Sequence, residues 1–306
     1  MHIYPDYYKD FCCIADKCKH NCCIGWEIDI DKDTLSVYKD MKGDFGKRLN
    51  DNISLADTPH FVLTDDERCP LLNDRNLCDI IISCGDSKLC TICKEHPRFH
   101  NELPQRIESG LGLCCEEAAR LILSKKEKTA LVGSDDLSTD DEIIILRDKV
   151  VDTFQDRETD IKTRISNALK FSGATAQQRS IKDWCDILLS FEQLDKKWGE
   201  LLKTAKSNST KSTEAFELFM SDRQEEYEQF IVYLAYRHLA NSPDNEEFAK
   251  RMCFIQFAYR LILFLGAVIY DEHNEFTLED QIELCRMFSS EIEYSDENLY
   301  TLFDIT

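Results

Sequence analysis

Twelve of the fifteen cysteines in this 306-residue chain fall between Cys12 and Cys115, and five of them lie in residues 11–26, FCCIADKCKHNCCIGW. A segment so rich in thiols is closed by disulfides or by metal, and the compartment decides between them. The N-terminus, MHIYPDYYKDF, lacks the basic start and apolar run of a signal peptide. A cytoplasmic protein is therefore expected, with reduced thiols that point to metal.

Spacing narrows the metal without fixing it. Cys90 and Cys93 form a CxxC pair in KLCTICKEHPRF, a spacing that lets two thiolates reach one metal from a tight turn. Cys18, Cys22 and Cys23 offer two or three more ligands. Adjacent residues usually point apart, so one member of a pair such as Cys22 and Cys23 is a ligand candidate and the other structural, or the two serve different sites. RCPLLNDRNLC joins Cys69 to Cys78 across a turn. Structural zinc favours two CxxC-like pairs, and only one is present. Irregular spacing with surplus thiols suits a [4Fe–4S] cluster equally well, so both metals stay open. His20 and His96 are neighbouring candidates, and Pro97 is expected to end a helix at His96. Arg98 would then neutralise part of an anionic thiolate cluster.

Several functions are disfavoured. Net charge is −21, against a general nucleic-acid binder. The charge is uneven, −6 over residues 1–125 and −15 over residues 126–306, which suits a solvated surface or a lysine-rich partner. Residues 252–270, MCFIQFAYRLILFLGAVIY, are interrupted by Gln256 and Arg260 and read as a buried core helix, with no membrane span. Gly110-Leu111-Gly112 is the nearest fragment to a dinucleotide fingerprint, and no P-loop, HExxH, GxSxG or radical-enzyme CxxxCxxC is present.

The expected fold is mainly α, an irregular cysteine-rich metal-binding region (residues 1–125) packed on a C-terminal helical bundle (residues 126–306). DKDTLSVYKDMK and CCEEAARLILS read as helices, with short strands near residues 26–30 and 60–63. Residues 124–140 read as a linker or exposed loop. Five helical segments follow, the first capped at Thr139 or Asp140, and no segment alternates with period two for long. Cys185, Cys253 and Cys285 read as small core residues.

Four ordered motifs, FCCIADKCKHNCCIGWEIDID, CPLLNDRNLCDI, LCTICKEHPR and LCCEEAARLIL, resemble the flagellin lysine N-methylase (FliB-like) family. The cysteine part also resembles a wider group of zinc- or iron-chelating CxxCxxCC domains. FIVYLAYRHLA and EDQIELCRMFSSEIEYSDENLYTLF extend the resemblance over nearly the whole chain. It implies transfer of a methyl group from S-adenosylmethionine to lysine side chains of flagellin, with an iron–sulfur cluster. The family cysteines match Cys13, Cys18, Cys22, Cys23, Cys69, Cys78, Cys90, Cys93 and Cys115, leaving Cys12, Cys84 and Cys114 as extras. The chain departs from the pattern where Cys114 replaces an expected serine, Glu116 a proline and Tyr294 a histidine. The rival function is a non-enzymatic zinc- or iron-binding module.

The implied chemistry sets further requirements. Lysine is nucleophilic only as the neutral amine, so the site must desolvate it or supply a base; Glu291 and Glu293 are among many candidate carboxylates. A sulfonium cofactor would sit against aromatic faces such as Trp26, Tyr233 or Tyr236. Arg237 and Arg260 lie on apolar helices and either snorkel or hold a carboxylate, such as the cofactor's. Tyr233, Arg237 and Arg260 are thus the cofactor candidates.

Overall fold

The chain starts as a strand, β1 (His2–Pro5). In the computed structural model, which describes residues 1–133 and 137–306, the contacts divide the chain into two units. One comprises Met1–Phe11 and Phe99–Thr306, and the other is Cys12–Arg98. The division thus falls elsewhere than at 125/126, because β1 belongs with residues a hundred positions later.

The cysteine-rich unit holds α1 (Lys32–Asp40), α2 (Gly43–Asp51), the paired two-residue strands β2 (Ile53–Ser54) and β3 (His60–Phe61), α3 (Asp79–Cys84) and α4 (Thr91–Glu95). The strand expected near residues 26–30 is reduced to single bridges, Ile24 with Arg68 and Asp29 with His60. Asp31 ties the two ends of this unit together. Its carboxylate accepts from Thr34 N at 2.9 Å, capping α1, and from Thr91 N at 2.9 Å, at the start of α4. Burial works against this charge, yet the hydrogen bonds from Thr91 and Thr34 outweigh it and hold the carboxyl well below its usual range. As expected, α4 ends at the residue before His96-Pro97.

In the larger unit β4 (Arg98–Leu103) and β5 (Arg106–Leu111) join β1 and β6 (Leu131–Val132) in a sheet of order β4-β5-β1-β6. β1 runs parallel to β5, His2 opposite Ile107, and antiparallel to β6, Tyr4 opposite Val132. This sheet was not expected. Its strands are two to six residues long, and β5 is buried at five of its six positions, so the alternation that betrays a strand is missing. Gly110 has a structural reason: a Cβ there would lie 2.3 Å from the Phe99 ring. Of the expected linker 124–140, residues 134–136 lie outside the described residues, and residues 125–132 are less free than expected. The segment supplies β6, and Gln229 grips it by donating to Lys125 O and Glu127 O and accepting from Thr129 Oγ1.

The helices of this unit are α5 (Glu116–Leu123), α6 (Glu142–Phe154), α7 (Ile161–Phe171), α8 (Ile181–Ser190), α9 (Lys196–Ser207), α10 (Glu214–Phe219), α11 (Gln224–His238), α12 (Asn245–His273), α13 (Leu278–Phe288) and α14 (Asp296–Ile305). Three expected segments are each broken into helix pairs, because Asp160, Asp195 and the 3₁₀ turn Ser221–Arg223 restart the backbone. α6 is capped by Asp141, one residue past the expected cap, which accepts from Ile143 N and Ile144 N at 2.9 and 3.1 Å. Asp141→Ala should cost about 1 kcal/mol in urea unfolding. The core centres on α11 and α12. α12 is long and apolar enough to cross a membrane by length and composition, but 83% of its most apolar window is buried inside the protein. Cys185, Cys253 and Cys285 are buried core residues, as expected.

Candidate functional site

The cysteine-rich unit gathers six of the expected thiols. Cys69 and Cys90 belong to its hydrophobic core with Tyr38, Phe61 and Leu71, and Cys23, Cys78 and Cys93 pack against that core. Local backbone structure places them: Cys69 N donates to Cys23 O at 2.8 Å, Leu72 pairs with Cys78, and α4 carries Cys93 one turn from Cys90. Contrary to the expectation for adjacent residues, the Cys22 and Cys23 sulfurs meet in a hydrogen bond, which lowers Cys22 and raises Cys23 from the usual thiol range. Cys90 and Cys93 form a second such pair, with Cys90 lowered and Cys93 raised. Burial lifts Cys69 to about 11, and Cys78 is raised for the same reason. Charges at Cys22, Cys69, Cys78, Cys90 and Cys93 act on one another, so these sulfurs share one neighbourhood.

The other cysteines stand differently. Cys13 is exposed and accepts from Ala15 N, while the half-buried Cys18 donates to His20 O at 3.2 Å. Cys115 is the N-cap residue of α5, in the larger unit. Among the described residues no three His, Cys, Asp or Glu side chains form a group set to hold one metal ion. The donor chemistry nonetheless suits zinc or iron–sulfur, because the gathered side chains are all sulfur.

The larger unit contains a polar cluster within its core. After α13 the chain continues through a π-helical turn, Ser289–Glu293. Such turns are rare and occur often at functional sites. The turn drives both of its glutamates inward. Glu291 accepts from Leu194 N and Asp195 N at 3.0 and 2.6 Å, at the start of α9, and burial raises its carboxyl above the usual range. Glu293 is met by His238 Nε2 at 2.6 Å, Arg237 Nε at 3.2 Å and the Tyr233 hydroxyl at 3.0 Å. Arg237 also donates to Tyr233 Oη at 2.7 Å, and Leu113 N donates to the same oxygen at 3.3 Å. Burial opposes the Glu293 charge, but Arg237 and the His238 hydrogen bond hold the carboxyl below its ordinary range. Cys114 and Tyr294, two of the departures from the expected family pattern, hydrogen-bond to each other beside Arg237.

Of the cofactor candidates, Tyr233 and Arg237 therefore come together, and Arg237 has a resident carboxylate in Glu293. Arg260 lies apart. It is exposed beside Trp184, Phe257 and Gln256 in a shallow pocket between α8 and α12. Sequence reasoning missed Glu108 and Arg147, which lie wholly inside the protein: Arg147 is 0% exposed and grips Glu108 with two bonds of 2.7 and 2.8 Å. In EIIILRDKVV the four apolar residues preceding the arginine were the available signal.

Residues 105–306 match the sequence profile of the FliB lysine N-methylase C-terminal domain. The chain belongs to that family. The match takes in β5, the helical core, the π-turn and the Glu293 cluster. Among curated relatives, the flagellar biosynthetic protein FliU of Salmonella muenchen is 28% identical over 134 residues, 42% of this chain and 79% of that protein. The lysine-N-methylases of Salmonella choleraesuis and Salmonella typhimurium are each 28% identical over 134 residues, 42% of this chain and 33% of theirs. The match thus spans about a third of the length of these two FliB-family relatives. No solved structure matches the chain significantly.

Proposed function

We propose that this chain methylates lysine side chains of a protein, flagellin or a similar surface protein, using S-adenosylmethionine. Family membership over residues 105–306 carries this reading, supported by the names of the lysine-N-methylase relatives. The net charge of −21 suits a lysine-bearing substrate. In the transfer, the amine lone pair forms the new C–N bond as the methyl–sulfur bond breaks. The thioether leaves with the electron pair and the nitrogen releases one proton. The chain's task is to present a neutral amine and to take up that proton.

We further propose that Cys22, Cys23, Cys69, Cys78, Cys90 and Cys93 hold an iron–sulfur cluster, with zinc as the alternative. A bound cluster would supply a redox centre or, at an iron without a cysteine ligand, an open coordination position. The chain's own contribution is a thiol set ordered by Asp31 and by the Cys69–Cys23 backbone bond.

Anaerobic purification with metal and sulfide analysis tests the centre. Brown protein with matching iron and sulfide is expected. Cys90→Ala and Cys93→Ala should lose most of the metal, whereas the exposed Cys12→Ala should keep it. Colourless protein with stoichiometric zinc would overturn the cluster. Mass spectrometry of flagellin incubated with the reduced protein and S-adenosylmethionine tests the activity, and lysines without a mass gain of one methyl would overturn it.

A further inference from the structure

α10 packs across the C-terminal end of α12 and leaves apolar side chains in solvent. Phe216 anchors it: the ring is 1% exposed, meets Phe276 edge-on at 5.0 Å and lies 5.7 Å from Tyr270. Gly266 makes room, since a Cβ there would lie 2.8 Å from the Phe216 ring. The last two residues of the helix are not drawn in. Leu218 is 76% exposed, the most of any large apolar side chain among the described residues. Phe219 is 41% exposed, and its ring lies 4.7 Å from that of the half-buried Tyr270. Apolar side chains exposed singly are ordinary, but Leu218, Phe219 and Tyr270 form a continuous ridge.

The charges around this ridge are one-sided. Glu214 lies one turn before Leu218 on the same helix face, Asp222 follows in the 3₁₀ turn, and Glu272 and Glu275 come just after Tyr270. All four are exposed, and none has an ion-pair partner among the described residues. The cations close by are committed: Lys162 to Glu217, Lys211 to Asp271 at 3.1 Å, and Arg223 to Glu226 at 2.7 Å. This pattern disfavours two occupants. A second copy docking through the same face would bring the same unpaired carboxylates together. An anionic lipid surface would meet the same repulsion. A protein segment with lysines or arginines beside a few apolar side chains would find a ridge for the latter and free carboxylates for the former.

We propose that the Leu218–Phe219–Tyr270 ridge is a docking surface for a basic protein segment whose lysines or arginines flank two or three apolar side chains. The ridge is remote from the Glu293 cluster, because His238 packs on Phe254, about 24 Å along α12 from Tyr270. The proposal goes beyond the lysine-methylation reading and does not depend on it.

Fluorescence anisotropy of the anaerobically purified protein with a labelled amphipathic peptide, about 14 residues of leucine and lysine on helical spacing, tests it. Two control peptides carry glutamate for lysine or serine for leucine. The leucine–lysine peptide should bind and neither control should. Leu218→Ser/Phe219→Ser and, separately, Glu214→Gln/Glu272→Gln/Glu275→Gln should each weaken binding roughly tenfold or more. Leu218→Ser alone, at a side chain mostly in water, should weaken it roughly threefold, and it keeps the test decisive if the double variant unfolds. Tyr300→Ser removes a 58% exposed ring on α14, one turn from Asp304, and should leave binding unchanged. Equal weakening by Tyr300→Ser, or unchanged binding in the ridge variants, overturns the proposal, because the peptide is then held by net charge alone. Dimerisation of the protein, or its retention on phosphatidylserine vesicles, also overturns it if Leu218→Ser abolishes that behaviour.

Discussion

Glu293→Ala should cost about 3–5 kcal/mol of stability, because it leaves the Arg237 guanidinium buried without its carboxylate and removes the partner of His238 and Tyr233. Urea unfolding followed by circular dichroism measures the loss, and a cost under 1 kcal/mol would show that the cluster is solvated. Glu293→Gln should lose less, since the amide keeps the shape and one acceptor. The pH dependence has a definite sign. The Glu293 carboxyl is lowered in the folded protein, so its stabilisation is present above the unfolded value of about 4.3 and is lost as pH falls through the folded value. Burial lowers His238 too, more than its bond to Glu293 raises it. Its contribution is therefore present above the unfolded value of about 6.5 and is lost below it. Acid should weaken the protein from about pH 6.5 downward, and Glu293→Gln should flatten the lower part of that decline.

Arg147→Met should also cost about 3–5 kcal/mol, because Glu108 would keep only Arg106 for a carboxylate that is 4% exposed. Pairing it with Glu108→Gln should cost less than the sum of the two single changes, by about 0.5–3 kcal/mol. Thermal unfolding of the four proteins checks this, and strict additivity would mean that the two-bond contact contributes nothing.

The sequence made the helical half legible, for a physical reason. Composition and spacing marked the cysteines as candidates but did not say which would lie together; the proximity of Cys22, Cys69, Cys78 and Cys90 is visible only in the fold. Apolar residues returning every three or four positions marked the helices, although the short restarts at Asp160 and Asp195 did not stand out from the acidic residues around them. Tyr233, Arg237 and Glu293 were each singled out, and the structure unites them. That they would converge depended on a π-turn in SSEIE, which no periodicity announces. The sheet was hidden because β5 is buried on both faces and β1 is only four residues long. Arg147 was hidden because a charge inside an apolar helix reads like one on its surface until its partner is located.

The parallel pairing of β1 with β5 bears on the order of events during synthesis. Met1–Phe11 leaves the ribosome before its neighbour in the sheet, which follows about a hundred residues later. In the interval Cys12–Arg98 can assemble around its own core, leaving the leading strand waiting with unmet backbone groups. A fragment limited to residues 105–306, the span shared with the family, would keep most of the helices of the larger unit but lose both β4 and β1, the strands on either side of β5. Adding a synthetic peptide of residues 1–11 to that fragment would restore the β1 side of β5, and β4 would have to be supplied as well to recover the whole sheet.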